Sequence, residues 1–352
     1  MSGDTQGADT AVVLVGDRIG AIVGAAADGR FYSLDIQAGR PALLVSLGGL
    51  DAEGVRALLQ RLIAAEPQVR AAGGDIVPIA PVSAPFAAAL SGDEAAAGRI
   101  IYAAVSGGLD RLQIDGAPAA VVLDRSGRVI DLQPVRADTD LAALFAAAVA
   151  HAPREPGRLC ATSAPVLIIP NVAPPAFCRA VIDYFEASPH AQGVMASYVD
   201  GEAQARTDLG KKHRRDTELV AGTPLHDAVM ELIAARIAPE IKRAFQKDIT
   251  FADRILIARY DDDGGYFRRH RDDASPQVAF RQFALSLNLN TEEYDGGELL
   301  FPEFNDHRFS PPAGSAILFS ASLLHEASPV TRGSRYVLLS FLCGETATAQ
   351  AG

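Results

Sequence analysis

The stretch "GGYFRRHRDDASP" (264–276) sets His270 two residues before Asp272, in a run of arginines and aspartates. Asp261, Asp262 and Asp263 lie just upstream, and Arg268, Arg269, Arg271 and Asp273 flank the pair. Taken alone, the segment reads as a solvated turn. In an extended backbone, however, residues i and i+2 face the same way. His270 and Asp272 then aim an imidazole nitrogen and a carboxylate at one point, while Arg271 faces the opposite side. A further histidine from another strand would complete a facial triad of two histidines and one carboxylate, which leaves adjacent positions open on a non-heme Fe(II).

The candidate third ligand is His325 in "LFSASLLHEASPVTRGSRYVLLSF" (318–341), expected just past a strand and before a Pro-marked turn. Arg335 opens the next strand, where its guanidinium can meet a carboxylate in a bidentate pair. Tyr260 ends the strand leading into the His-x-Asp turn. Each piece alone has an ordinary explanation: a charged loop, a satisfied histidine, a surface ion-pair arginine, a half-buried aromatic. Their order across five predicted strands is what makes them a set.

The chain has 352 residues, 49% hydrophobic and 21% charged, which suits two globular domains with separate cores. A formal net charge of -11 lacks the basic footprint that a phosphate backbone needs, so nucleic acid is not an expected partner. Cys160, Cys178 and Cys343 form no CxxC, no His/Cys cluster and no disulfide framework. "MSGDTQGADTAVV" (1–13) has no basic segment followed by an apolar one, and the Ala-rich stretches are broken by charge short of a membrane span. A cytoplasmic protein without membrane contact is expected.

"HAPREPGRLCATSAP" (151–165), rich in Pro and small residues, marks the seam between two units. The expected division is a first domain over 1–155, a linker over 156–163 and a second domain over 164–352. In the first, "PALLVSLGG" (41–49) and "GDIVPIAPV" (74–82) read as strands around a helix over 51–67. "APAAVVLDRSGRVIDLQPV" (117–135) reads as two strands joined by a Ser-Gly turn. A helix over 139–151 follows, with Asp138 or Thr139 as candidate cap.

The second unit opens with a strand and a helix (164–187) and a longer helix over 223–246, with Thr223 as N-cap and Pro239 dividing it. Strands then follow at 254–260, 281–290, 297–304, 314–322 and 335–342. Phe283, Leu285, Leu287 and Leu289 alternate with Ala284, Ser286 and Asn288. Helices followed by several strands predict an α+β sandwich or barrel. The basic run "KKHRRD" (211–216) is expected to be a solvated loop, with a mobile lid or a recruiting patch as the alternative.

Residues 164–344 resemble the 2-oxoglutarate- and Fe(II)-dependent oxygenases of the prolyl 4-hydroxylase-like type. The resemblance lies in "RYDDDGGYFRRHRDD", "LSLNLN", "GGELLFPEF", "PPAGSAILFSASLLHEASPV" and "RGSRYVLLSFL". It implies a double-stranded β-helix, or jelly roll, with helices on one face. It further implies Fe(II) on His270, Asp272 and His325, and 2-oxoglutarate held by Arg335 with the Tyr260 hydroxyl assisting. Glu298 is a weaker candidate for the pocket edge. The implied reaction couples oxidative decarboxylation of 2-oxoglutarate by O2 to hydroxylation of an amino-acid side chain, free, in a peptide or in a protein, with ascorbate as a stimulant. Related halogenases replace the carboxylate ligand with a small residue, so Asp272 favours hydroxylation.

The first unit resembles the peroxiredoxin branch of the thioredoxin-like α/β proteins, through "GRFYSLDIQAGRPALLVSL" (29–47) and through Pro118 at the usual cis-proline position. Where that branch carries its reactive cysteine, this chain has "GGLDAEGV", and no cysteine precedes Cys160. Thiol chemistry needs a thiolate, so a thiol peroxidase is excluded. A scaffold for substrate recruitment or homodimerisation is the expected role. The alternatives are a binding or regulatory protein that keeps the oxygenase fold without turnover, or a thioredoxin-fold redox protein.

Overall fold

In a computed structural model of the chain, residues 13–90, 97–152, 159–193, 195–199, 202–206 and 210–344 are described. The chain forms two compact units, Met1–Ala152 and Pro153–Gly352. Part of the expected linker lies outside the described residues.

The first unit is built on one mixed sheet. β1 (Val23–Ala25) and β2 (Phe31–Ser33) pair antiparallel. β3 (Ala42–Ser46) runs into helix α1 (Ala52–Ala71), and β4 (Asp75–Pro81) returns parallel to β3. β5 (Ile101–Val105) lies parallel to β4. After the short β6 (Gln113–Ile114), β7 (Ala117–Leu123) joins β3 antiparallel and carries β8 (Val129–Pro134) on its other side. Helix α2 (Leu141–Ala150) closes the unit. β3 is apolar throughout because both its faces are covered. Leu43 and Val45 pack with Val55, Leu59 and Phe145, while Leu44 packs with Val77 and Leu123.

Three details differ from the sequence expectations. α1 continues through Pro67 instead of ending there. An internal proline forfeits one bond to the preceding turn, and buried Leu62, Ala65 and Val69 carry the apolar stripe across that gap. The cap of α2 is Asp140, whose carboxylate accepts from the Ala142 and Ala143 amides at 3.1 and 3.0 Å, whereas Thr139 accepts from the Arg136 amide. No peptide bond among the described residues is cis, so Pro118 is trans.

In the second unit, β9 (Leu167–Ile169) precedes α3 (Pro175–Ala187). β10 (Ala191–Gln192), the antiparallel pair β11 (Met195–Val199) and β12 (Glu202–Arg206), β13 (Lys212–His213) and β14 (Arg215–Glu218) follow. α4 (Pro224–Leu232) begins at Thr223, whose hydroxyl accepts from the His226 amide at 3.3 Å. A π turn, Ile233–Ile237, separates it from α5 (Ala238–Phe245), so Pro239 divides the helix by a widened turn.

The remaining strands are β15 (Phe251–Asp261), β16 (Tyr266–His270), β17 (Phe283–Asn288), β18 (Asp295–Gly296) and β19 (Leu299–Leu300). They continue as β20 (Arg308–Phe309), β21 (Ala316–Ser320), β22 (His325–Ala327), β23 (Val330–Arg332) and β24 (Ser334–Cys343). The larger antiparallel sheet has the order β10-β14-β15-β24-β17-β21-β9, and the smaller one β13-β16-β22-β19-β20. Helices cover one face of the larger sheet: Ile257, Leu285, Leu287 and Leu338 pack with Val181, Phe185, Val229 and Ile237. Its other face, with Ala258, Tyr260, Ala284 and Val337, packs on Leu299, Phe301 and Ala327 of the smaller sheet. This is why the small and polar face of β17 is buried as deeply as its apolar face. Ser286 and Asn288 point into the space between the sheets, not into solvent.

Candidate metal centre

The turn after β15 brings β16 back beside it. Gly264 adopts a φ of 90°, and a side chain on Gly265 would sit 2.7 Å from the Asp261 amide nitrogen. β16 then pairs with β22 so that His270 and His325 are direct cross-strand partners. His325 lies past the end of β21, as expected, and opens the short β22. One residue beyond Arg271, the Asp272 amide donates to the Ala321 carbonyl at 2.9 Å, which holds the carboxylate beside both rings.

His270 Nδ1 lies 2.8 Å from the Arg268 carbonyl and His325 Nδ1 lies 2.9 Å from that of Leu323. A carbonyl only accepts, so each Nδ1 carries a proton and each Nε2 is the nitrogen turned to Asp272. His270 Nε2 is 3.4 Å from Asp272 Oδ1 and His325 Nε2 is 3.5 Å from Oδ2. The donor atoms of the three residues lie within 4.8 Å of one another, a spacing from which they can converge on one ion. Phe267 stacks on His270 with ring centroids 3.5 Å apart, and Phe319 meets His325 edge-on at 4.6 Å. Arg271 points away, as expected, and pairs with Glu303 at 2.6 Å.

Burial pushes the His325 pKa down to about 4, with Asp272 opposing and His270 reinforcing the shift. Burial alone would raise the Asp272 carboxyl, but His325 and His270 outweigh it and hold the group below the usual carboxylate range. At neutral pH the cluster is thus a carboxylate with a neutral His325, the protonation states a metal requires.

The cavity beside these donors is lined by Tyr260, Phe267, Ser286, Phe319 and Arg335. Arg335 is 2% exposed, yet it makes no hydrogen bond or ion pair with any described residue, and its Nε has no partner. Its guanidinium lies 5.0 Å from the centroid of the Tyr260 ring. Gly297 makes room for it: a Cβ there would lie 2.6 Å from Arg335 Cδ. A buried guanidinium without an anion is costly, so the pocket has the character of a carboxylate receptor.

The sequence pattern of the 2OG-Fe(II) oxygenase superfamily matches residues 255–343, which span all of these groups. A PKHD-type hydroxylase of Hyphomonas neptunium is 30% identical over 157 residues, covering 42% of this chain and 67% of its own. A PKHD-type hydroxylase of Burkholderia lata is 33% identical over 183 residues, covering 48% of this chain and 74% of its own. The chain belongs to the 2OG-Fe(II) oxygenase superfamily. It is a 2-oxoglutarate- and Fe(II)-dependent hydroxylase. A solved prolyl hydroxylase from Trichoplax adhaerens, in complex with a hypoxia inducible factor oxygen degradation domain peptide fragment, is 16% identical with a TM-score of 0.44, covering 54% of this chain and 88% of its own.

Two expectations for this oxygenase are corrected by its structure. Glu298 does not line the cavity; its carboxylate accepts from the Ser328 hydroxyl and lies 3.6 Å from Arg308, because neighbouring Leu299 takes the inward position. The run 211–216 is not a solvated loop. Lys212 and Arg214 are buried, and both converge on Asp216. Burial brings the Lys212 pKa down to about 8. Arg214 is the cavity residue that sequence reasoning missed. The signal for it was the two-residue period of the run, with a carboxylate at 216 to neutralise its inward face.

Proposed function

We propose that His270, Asp272 and His325 hold the Fe(II) of this hydroxylase, and that Arg335, with Tyr260, receives the distal carboxylate of 2-oxoglutarate. The observation that carries this reading is the buried Arg335 without a counter-charge among the described residues, in the same cavity as the three donors. With Fe(II) held by the donors, a dicarboxylate with one end at the ion and the other at Arg335 would balance the charge at both places. When bound, the cofactors supply the oxidising chemistry: one oxygen of O2 leaves in succinate beside CO2, and the other enters a substrate C–H bond. The chain's own part is to orient and to exclude water. Phe267 and Phe319 wall the two imidazoles, and the Arg268 and Leu323 carbonyls fix their tautomers. Asp272 fills the position that a halide would need, which favours hydroxylation.

The proposed substrate is an amino-acid side chain, prolyl or another, free or within a peptide or protein. The support is the resemblance of the strand motifs to prolyl hydroxylases. Incubation with Fe(II), 2-oxoglutarate and a peptide library should yield succinate and peptides heavier by one oxygen. Succinate formation unaffected by His270→Ala would contradict the assignment.

For the first unit we propose a thioredoxin-like domain over about residues 1–155 that lacks a nucleophile and serves recruitment or dimerisation, ahead of an oxygenase domain over 164–352. The support is the βαβ of β3, α1 and β4, followed by the ββα of β7, β8 and α2 around the same sheet. Sedimentation equilibrium separates the two roles, since only dimerisation predicts a mass twice that of the chain.

A further inference from the structure

We propose that Arg214 is a positioning residue for the cofactor site: it turns the Tyr260 hydroxyl into an oriented donor for the distal carboxylate of 2-oxoglutarate. The inference rests on the assignment of Tyr260 and Arg335 to that carboxylate. Arg214 Nη1 donates to the Tyr260 hydroxyl at 2.7 Å. A guanidinium has no acceptor, so this bond occupies an oxygen lone pair and leaves the phenolic proton unspent. No described residue accepts that proton, and the cavity wall on which Tyr260 sits is shared with Arg335, its direct cross-strand partner. Donation from a charged group also polarises the phenol and strengthens its own donation.

Arg214 is itself held tightly. It is 7% exposed, its Nη2 donates to Asp216 Oδ2 at 3.3 Å, and its Nε lies 2.7 Å from Oδ1, close but misaligned for a hydrogen bond. Its guanidinium carbon stands 5.4 Å from the Tyr260 ring centroid and 5.3 Å from that of Phe267. The tyrosine ring thus has Arg214 at 5.4 Å and Arg335 at 5.0 Å. One arginine is paired with Asp216, which it shares with Lys212, and fixes the hydroxyl. The other has no carboxylate partner among the described residues and is left for the ligand. This division of labour explains why a basic side chain in the 211–216 run is buried at the cavity instead of facing water.

The test is calorimetric binding of 2-oxoglutarate to the full-length, Fe(II)-loaded protein without oxygen, compared with 2-oxobutyrate, which keeps the 2-oxo acid end and lacks the distal carboxylate. Arg214→Gln should weaken 2-oxoglutarate binding by about tenfold, the worth of one charge-assisted bond, and leave 2-oxobutyrate binding unchanged. Adding Arg214→Gln to Tyr260→Phe should weaken binding no further than Tyr260→Phe alone. If Arg214→Gln folds poorly, Arg214→Lys keeps a charge beside Asp216 but lacks the second nitrogen that reaches the Tyr260 hydroxyl, and gives the same comparison. Equal loss for both ligands, or no loss while Tyr260→Phe and Arg335→Gln weaken 2-oxoglutarate, overturns the role of Arg214. No loss in Tyr260→Phe and Arg335→Gln overturns the underlying site assignment instead.

Discussion

Tyr260 and Arg335 face each other as direct partners across β15 and β24, and the arginine, though buried, has no carboxylate among the described residues to pair with. The larger sheet thereby carries an uncompensated charge into the space between the sheets, beside the candidate donors His270, Asp272 and His325. Such a charge lowers the stability of the empty protein and is repaid only when an anion binds.

Arg335→Met separates those two effects. It keeps the volume and removes the charge, so the cofactor-free protein should become more stable, by about 1 kcal/mol or more. Affinity for 2-oxoglutarate should fall at least about tenfold. Thermal melts of the empty protein and calorimetry check the two halves; a less stable variant with unchanged affinity contradicts the account.

Gly297→Ala should act on the same arginine from behind. The residue has φ of 68°, and the added methyl would press on Arg335 Cδ at 2.6 Å. A destabilisation of about 1–2 kcal/mol is expected from the backbone alone. KM for 2-oxoglutarate should rise as well. Unfolding curves and initial rates over a range of 2-oxoglutarate concentrations test this, and an unaltered KM would show that the arginine does not depend on this glycine.

The acid sensitivity of the metal-free protein follows from His325. Its pKa is about 4 in the fold against 6.5 in an unfolded chain. Between those values the unfolded state binds more protons, so stability is full above pH 6.5 and falls as pH drops toward 4. Asp272, held below the usual carboxylate range, extends the loss at lower pH. Urea midpoints across this range should decline in the wild type and decline less in His325→Gln.

Neighbouring lysines should behave differently. Lys212 is 3% exposed and its ammonium is 2.7 Å from Asp216, whereas the side chain of Lys211 has no such burial. Lys212→Ala should cost about 1–3 kcal/mol by leaving the buried carboxylate short of a partner. Lys211→Ala should stay within about 0.5 kcal/mol. Paired chemical denaturation curves measure the contrast.

Much of the candidate metal centre was legible in the sequence because its signal is local. His270 and Asp272 share a face by strand geometry, and His325 and Arg335 stand at the ends of apolar strands that periodicity locates well. Arg214 was not legible by the same reasoning, since a run of charges defaults to solvent unless its two-residue alternation is read together with Asp216. Glu298 was misplaced for the converse reason. Between Gly297 and Phe304 only Leu299–Leu300 form a strand, and which of two adjacent residues faces inward depends on pairing with β22 and β20. In the first unit, the passage of α1 through Pro67 reflects tertiary burial overriding a local breaker.

The central claim is most directly tested by Fe(II) stoichiometry, measured without oxygen on purified wild type, His270→Ala, Asp272→Ala and His325→Ala. One tightly bound ion per chain in the wild type, lost in each variant while the fold is retained by circular dichroism, is the predicted result. Wild-type stoichiometry persisting in all three variants would contradict it.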